Sequence, residues 1–157
     1  MKRAAWLAFF LFAACRPAPL PPLSPDAPAD QPWSVGESDE LRALDEELQP
    51  LVLEARKTYP SARQRFLRGL EPGYAFYVVV RLHDAEGRAE QVFLAVDRIV
   101  NGQIHGRIAN ELQIVSGYES GSAYTVAETQ ILDWLITNPD GSEEGNYIGK
   151  YLDGRKD

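Results

Sequence analysis

The sequence predicts an α+β domain in which N-terminal helices pack on one face of a four- to five-stranded, mainly antiparallel sheet. Two observations support this fold class. Apolar residues recur at helical spacing up to Leu70, and after Gly73 they alternate with a period of two. Turn signals then divide the remaining chain into short segments of strand length. Segregated helices and strands of this kind are typical of an α+β fold.

The helical region is expected to consist of three segments. Leu41, Leu44 and Leu48 share one helical face after a start at Ser38. Proline costs about 3 kcal/mol inside a helix. We therefore expect a first helix that ends near residue 49, a second after Pro50, and a short third one beginning at Pro60.

The strands are expected to follow one another as an antiparallel meander. Residues 74–83 alternate between two faces, residues 84–87 form a turn, and residues 91–96 return as a partner strand. Asn101-Gly102 is a strong hairpin signal and leads into a strand at residues 103–109. Residues 124–127 and 130–136 supply one or two more strands, and residues 146–152 a short helix or strand.

The N-terminus has the features of a secretory signal peptide at residues 1–14. Lys2 and Arg3 precede an apolar stretch at residues 4–14, which is shorter than the roughly 20 residues of a membrane-spanning helix. The stretch ends in Phe12-Ala13-Ala14-Cys15, which resembles the lipobox of bacterial lipoproteins. We therefore expect Cys15 to be lipidated, so that acyl chains anchor the protein to a membrane. The alternative is that Cys15 belongs to a longer signal or to a buried helix.

Residues 15–37 are expected to form a tether between the lipid and a single folded domain at residues 38–157. The tether is rich in proline, which favours an extended spacer of about 3 Å per residue. A proline-rich recognition ligand is the alternative use of such a segment. The expected location is the cell envelope. Because Arg16, and not aspartate, follows Cys15, the outer membrane is favoured if the organism is Gram-negative.

Composition excludes several classes of function. The net charge is −7 and there is no basic cluster, so we expect no nucleic-acid partner. Cys15 is the only cysteine, so its lipidation would leave no thiol for a disulfide, a metal site or a nucleophile. The sequence contains no serine-hydrolase or phosphate-loop motif, and we expect neither a cofactor nor a metal.

A resemblance to a known family rests on four segments of the chain, at residues 76–80, 106–110, 131–134 and 145–150. These segments resemble the YegJ-like family of uncharacterised bacterial proteins, a domain of unknown function. The resemblance covers roughly residues 39–152, and it implies the fold class and a single domain but no activity. Two departures stand out: residues 90–93 lack a Glu-His and a nearby tryptophan expected there, and a proline expected shortly after Asn110 is missing.

Asp133, next to Trp134, is the first candidate for chemistry. A carboxylate between apolar residues needs hydrogen-bond partners or a shifted pKa, so Asp133 could act as a general acid or base. It could equally accept bonds from backbone amides in the turn at residues 141–149. His83 and His105 could approach each other on neighbouring strands. However, zinc would need a further ligand and no motif spacing supports it, so we expect two surface histidines.

Polar and aromatic residues share the second face of the predicted sheet, which is a composition found at recognition surfaces. An ordinary solvated face is the alternative. Two functions compete: a non-enzymatic binding or accessory module, which presents this face or the loops around Asn110 and Gly145 to an envelope protein or to cell-wall material, and a small envelope hydrolase that uses Asp133 or a histidine. Clustering of Asp133 with the histidines in a pocket would favour the hydrolase. The residues of this face are Tyr77, Arg81, His83, Phe93, His105, Arg107 and Tyr124.

Overall fold

The computed structural model describes the backbone of residues 38–155 and the side chains of residues 42–155, which form one antiparallel sheet with two helices. The α+β fold class is confirmed, whereas the predicted signal peptide, Cys15 and the tether lie outside the described residues. Within the described residues, no helix is long and apolar enough to cross a membrane. The elements are α1 (Ser38–Arg68), β1 (Ala75–His83), β2 (Ala89–Val100), β3 (Gln103–Ile108), β4 (Ala123–Ala127), β5 (Asp133–Thr137), β6 (Glu143–Gly145) and α2 (Tyr147–Asp153).

The prediction of three N-terminal helical segments is wrong, because α1 is one continuous helix of 31 residues that contains Pro50 and Pro60. Tertiary contacts stabilise the helix against the local effect of its prolines. In the turn before Pro60, the carbonyl oxygen of Ala55 accepts a hydrogen bond from the Trp134 indole at 3.1 Å. The helix also buries Ala55 and Tyr59 against the sheet. These partners lie far away in the sequence, so local propensity could not predict them.

The sheet has six strands in the order β4-β3-β2-β1-β5-β6, with every pair of neighbours antiparallel. The predicted meander therefore holds only from β1 to β4, because β5 crosses back to lie beside β1. β1 is therefore a central strand, with β2 and β5 as its neighbours, and six of its residues in succession, Ala75 to Val80, are buried. The sixth strand, β6, forms where the sequence predicted only a turn.

The two faces of the sheet follow from the strand register. The helix face packs against α1 and contains Phe76, Val78, Val80, Leu94, Ile104, Ile108, Trp134 and Ile136. The opposite face, called here the second face, contains Ala75, Tyr77, Val79, Phe93, Ala95 and Leu135. Tyr124 is paired with Gly106 and packs with the helix face, so its predicted place on the second face is wrong.

The predicted hairpin at Asn101-Gly102 is confirmed. These two residues connect β2 to β3 with φ angles of 51° and 74°. Positive φ at both central positions is the requirement of a type I′ turn, in which asparagine and glycine are the preferred residues.

Glu90 anchors the long loop between β3 and β4. Its side chain is 2% exposed, and its two carboxylate oxygens accept hydrogen bonds from the backbone amides of Gln113, Ile114 and Val115 at 2.9 to 3.2 Å. Three backbone amides of this loop are therefore hydrogen-bonded to a side chain at the start of β2. This contact was not predicted, since a glutamate at the start of a strand is usually exposed to solvent.

Candidate functional site

The ionisable residues predicted for catalysis do not converge. His83 is paired with Ala89 of β2, whereas His105 is paired with Arg98 of the same strand. These two positions are nine residues apart, which corresponds to about 30 Å along a strand. The idea that the two histidines approach each other is therefore wrong. Asp133 is paired with Val79 of β1, and Val79 is paired with Phe93 of β2. Along the strands, Asp133 therefore lies between the positions of the two histidines.

The histidines have ordinary surroundings. His83 is exposed at the end of β1, and the Nδ1 atom of His105 is hydrogen-bonded to the Thr125 hydroxyl at 2.9 Å. In the part of the chain that the structure describes, no group of three or more metal-binding side chains occurs.

Asp133 is fully buried and bonds to backbone amides. Its carboxylate oxygens accept bonds from the amides of Trp134 and Ile148, each at 2.7 Å. Burial raises the pKa of Asp133 to about 6, although these amides, the Tyr147 amide and the charge of Lys150 act in the opposite direction. The alternative prediction for Asp133 was that it bonds to backbone amides of residues 141–149, and the Ile148 amide is one of these. The carboxylate thereby connects the first turn of α2 to β5.

Trp134 lies on the helix face, where hydrogen bonds and ring contacts fix its indole. The indole Nε1 donates to the Ala55 carbonyl oxygen and lies 3.0 Å from the Thr58 hydroxyl. The Tyr147 hydroxyl bonds to the same Thr58 oxygen at 3.0 Å, and its ring meets the Trp134 ring edge-on at a centroid distance of 6.3 Å. The two aromatic rings are thus held rigidly between α1 and the start of α2.

These rings line a groove of about 520 Å³ between α1 and the β5–β6–α2 segment, called here the aromatic groove. Gly145 has a φ of 75°, and a Cβ at this position would overlap the Trp134 carbonyl oxygen. Glycine therefore allows the β6 backbone to approach the tryptophan. The lining residues are Lys57, Thr58, Ser61, Ala62, Arg65, Trp134, Glu144, Gly145 and Tyr147.

The rim of the aromatic groove has paired charges of both signs. Arg65 forms an ion pair with Glu144 across the groove at 2.5 Å, and Lys57 pairs with Glu54 at 3.1 Å. The Arg65 pKa is raised, first by the hydrogen bond from its side chain to Glu144. The Thr58 hydroxyl is bonded to the carbonyl oxygens of Glu54 and Ala55, to the Trp134 indole and to the Tyr147 hydroxyl.

Of the residues predicted on the second face, Tyr77 is buried, whereas Arg81 and Arg107 form ion pairs. Tyr77 is completely buried, and this burial raises its pKa to about 12. The guanidinium of Arg81 makes a two-pronged ion pair with Asp45 of α1, one bond of which measures 2.8 Å. Arg107 donates to Asp97 at 3.2 Å. Arg81 also borders a cleft of about 170 Å³ beside α1.

Of the two loops predicted as interaction sites, only the one at Gly145 borders the aromatic groove. Asn110 has a structural contact instead, since its side-chain oxygen accepts a bond from the Phe93 amide at 2.8 Å. Trp134 and Gly145 were predicted from the sequence, whereas Thr58, Ser61 and Arg65 were not, because they lie in a region that was predicted only to be helical. The aromatic pair Trp134 and Tyr147 was the available signal.

The family of the chain is established by comparison. A family model described as an uncharacterized protein conserved in bacteria, DUF2314, matches residues 45–155, which is most of the chain. The chain belongs to this family. No curated protein matches it, and no solved structure does so either. The matched segment contains every element from β1 to α2 together with most of α1.

Proposed function

We propose that this protein is a lipid-anchored binding module of the bacterial cell envelope and that its partner docks in the aromatic groove. The partner is an envelope protein or cell-wall material that presents an extended polar chain. Within the uncharacterised bacterial family, we place the chain with the YegJ-like proteins on the four segments that carry the resemblance. The aromatic groove is the observation that supports binding most strongly.

The volume and lining of the groove suit a ligand. Small-molecule and chain-binding sites are concave, several hundred Å³ in volume, and combine aromatic surface with a few polar groups. Here Trp134 and Tyr147 supply the ring surface, while Ser61 and Lys57 stand at the rim. Because the rim charges are paired, the groove favours a ligand of low net charge over a strongly acidic or basic one.

Rigidity of the groove favours affinity. The polar atoms of Trp134 and Tyr147 are already bonded to Ala55 and Thr58, so ligand binding need not order either ring. Side chains that are immobilised on binding cost roughly 0.5 to 1.5 kcal/mol each, and a fixed site avoids that loss.

The envelope location rests on the N-terminal sequence. A basic start, a short apolar stretch and Cys15 after two alanines support export and lipidation, and the proline-rich residues 16–36 support a spacer. Such a spacer would hold the domain clear of the lipid headgroups. The described residues give no support to a hydrolase. The Asp133 carboxylate is hydrogen-bonded to the backbone amides of Trp134 and Ile148, and the two histidines are far apart.

A pair of tryptophan substitutions on α1 tests the groove. Ser61→Trp places a large ring in the groove from an exposed position, and Leu53→Trp adds the same ring at another exposed position that does not line the groove. The chain from residue 16 onward is incubated with isolated envelopes, cross-linked, and compared with both variants. We expect Ser61→Trp to lose the cross-linked partner and Leu53→Trp to retain it.

Circular dichroism of both variants serves as the folding control. Equal capture by the native chain and by folded Ser61→Trp would contradict the groove as the binding site. Sacculi and membranes tested separately distinguish cell-wall material from an envelope protein.

A further inference from the structure

A second cavity, called here the arginine cleft, is lined by residues of α1, β1, β2 and α2. Its volume is about 170 Å³, and a cavity of roughly 150 Å³ is large enough to hold benzene. The arginine cleft can therefore accept a group of about six heavy atoms. It shares no lining residue with the aromatic groove, so the two cavities are separate sites.

The side-chain amide of Gln91 is buried in the arginine cleft without a hydrogen-bond partner in the described part of the chain. Gln91 is 5% exposed and is the cross-strand partner of Arg81. Buried polar side chains are normally hydrogen-bonded, because an unpaired amide away from bulk water costs free energy. A polar ligand in the cleft would supply the bonds that the described residues do not.

Two guanidinium groups and one carboxylate line the cleft. Arg81 makes a two-pronged ion pair with Asp45, so these two charges compensate each other. Arg56 donates its Nε to the Ile131 carbonyl oxygen at 3.0 Å and has no acidic partner among the described residues. The lining therefore keeps one uncompensated positive charge, in a chain whose net charge is −7.

Hydrogen-bond donors exceed acceptors among the free polar groups of the lining. The Nη groups of Arg56 and the Nε atom of Arg81 have no partner within the described residues. The Gln91 amide adds further donors and a single acceptor oxygen. A ligand that accepts hydrogen bonds and has a negative charge complements this set, and guanidinium groups bind carboxylates particularly well.

The rest of the lining is mainly aliphatic. These side chains belong to the apolar cluster between α1 and α2, and they offer neither charge nor a hydrogen bond. A ligand that matches both parts of the lining has a carboxylate at one end and a short apolar group at the other. The aliphatic residues are Leu48, Val52, Leu132 and Ile148.

We infer that the arginine cleft binds a small monocarboxylate, whose carboxylate is held by Arg56 and Gln91 and whose apolar group lies against the aliphatic lining. The volume leaves room for about three carbon atoms besides the carboxylate. A dicarboxylate or a phosphate fits less well, because Arg56 is the one cation of the described lining without an acidic partner. The inference goes beyond the proposed function, since it concerns a different cavity.

This ligand chemistry occurs in free short-chain acids and in the C-terminal residue of a peptide. Three probes, titrated into the full chain purified in detergent, test the inference and distinguish these sources. Isobutyrate represents a free acid, N-acetylalanine represents a peptide end, and N-acetylalaninamide is the same end without its negative charge. The NMR signal of the Gln91 side-chain amide, assigned by its loss in Gln91→Leu, reports binding in the cleft.

We expect at least one of the two acids to shift the Gln91 signal saturably and N-acetylalaninamide to leave it in place. The acid that binds more tightly identifies the source. An equal shift by N-acetylalaninamide would overturn the inference, because the negative charge would then contribute nothing. Absence of a shift with every probe would also overturn it.

Arg56→Gln and Arg98→Gln form a matched pair of variants. Both arginines are exposed and lack an acidic partner among the described residues, but Arg98 does not line the cleft. We expect Arg56→Gln to weaken binding of the acid about tenfold to a hundredfold and Arg98→Gln to leave it unchanged. Unchanged affinity in Arg56→Gln, when circular dichroism shows that it is folded, would overturn the inference. The comparison of acid and amide probes on the unsubstituted chain depends on neither substitution.

Discussion

The substitution Asp133→Asn should change the pH dependence of stability in a defined direction. Burial raises the pKa of this carboxyl from 3.8 to about 6 in the folded protein. At 1.36 kcal/mol per pKa unit, the difference corresponds to about 3 kcal/mol. Between these two pKa values the folded state binds the proton and the unfolded state does not. The contribution of Asp133 to stability is therefore fully present below pH 3.8 and is lost as the pH rises through about 6.

Asparagine cannot titrate, so the variant lacks this loss. We expect the free energy of unfolding of Asp133→Asn, relative to that of the native chain, to rise by about 3 kcal/mol from acidic to neutral pH. Urea unfolding at a series of pH values measures the difference. A difference that is constant or that falls with pH would refute the reasoning, because the amide bonds would then stabilise the ionised carboxylate more than burial destabilises it.

Asp140→Asn provides the matched control at an exposed carboxyl. The Ser142 hydroxyl, together with the Ser142 amide, lowers the pKa of Asp140. A lowered pKa stabilises the folded state above the normal pKa, and this contribution is lost as the pH falls. The two variants should therefore show trends of opposite sign.

Three further substitutions test the packing of the fold by urea unfolding. Glu90→Ala removes the acceptor of three loop amides and should destabilise the domain by about 2 to 3 kcal/mol, whereas Glu119→Ala at an exposed loop position should have little effect. Gly106→Ala should destabilise by about 1 to 3 kcal/mol because its Cβ would overlap a carbonyl oxygen of β2, and native stability would contradict the strand register. Trp134→Phe removes the indole bonds to α1 and should cost about 1 to 2 kcal/mol; an unchanged unfolding midpoint would show that these bonds contribute nothing.

The strands near β1 could be predicted from the sequence because their signals are local. Alternation at Phe76, Val78 and Val80 identified the helix face, and Asn101-Gly102 identified the hairpin. Both features depend on a few neighbouring residues, so periodicity and turn chemistry were sufficient.

The continuity of α1 and the place of β5 depend on residues far apart in the chain. The sequence indicated a break at Pro60, whereas the indole of Trp134 binds the preceding helical turn across 79 residues. No local pattern indicates that β5 pairs with β1 instead of β4. The aromatic groove was difficult to predict for the same reason, since Ser61 and Gly145 line one groove although they are far apart in the sequence.

The same limit applied to Asp133. Its position between apolar residues predicted correctly that it would need hydrogen-bond partners. Whether these were catalytic groups or amides depended on where α2 begins, and the start of a seven-residue helix after a glycine-rich turn has a weak sequence signal.

Fatty-acid labelling in a bacterial host that processes lipoproteins tests most directly that this protein acts from a membrane anchor. The native chain should incorporate labelled fatty acid and fractionate with membranes, because the thiol of Cys15 is the predicted attachment point. Cys15→Ala should remain unprocessed and unlabelled. Label that persists in Cys15→Ala, or a native chain without label, would contradict the lipid anchor and with it the assignment to the cell envelope.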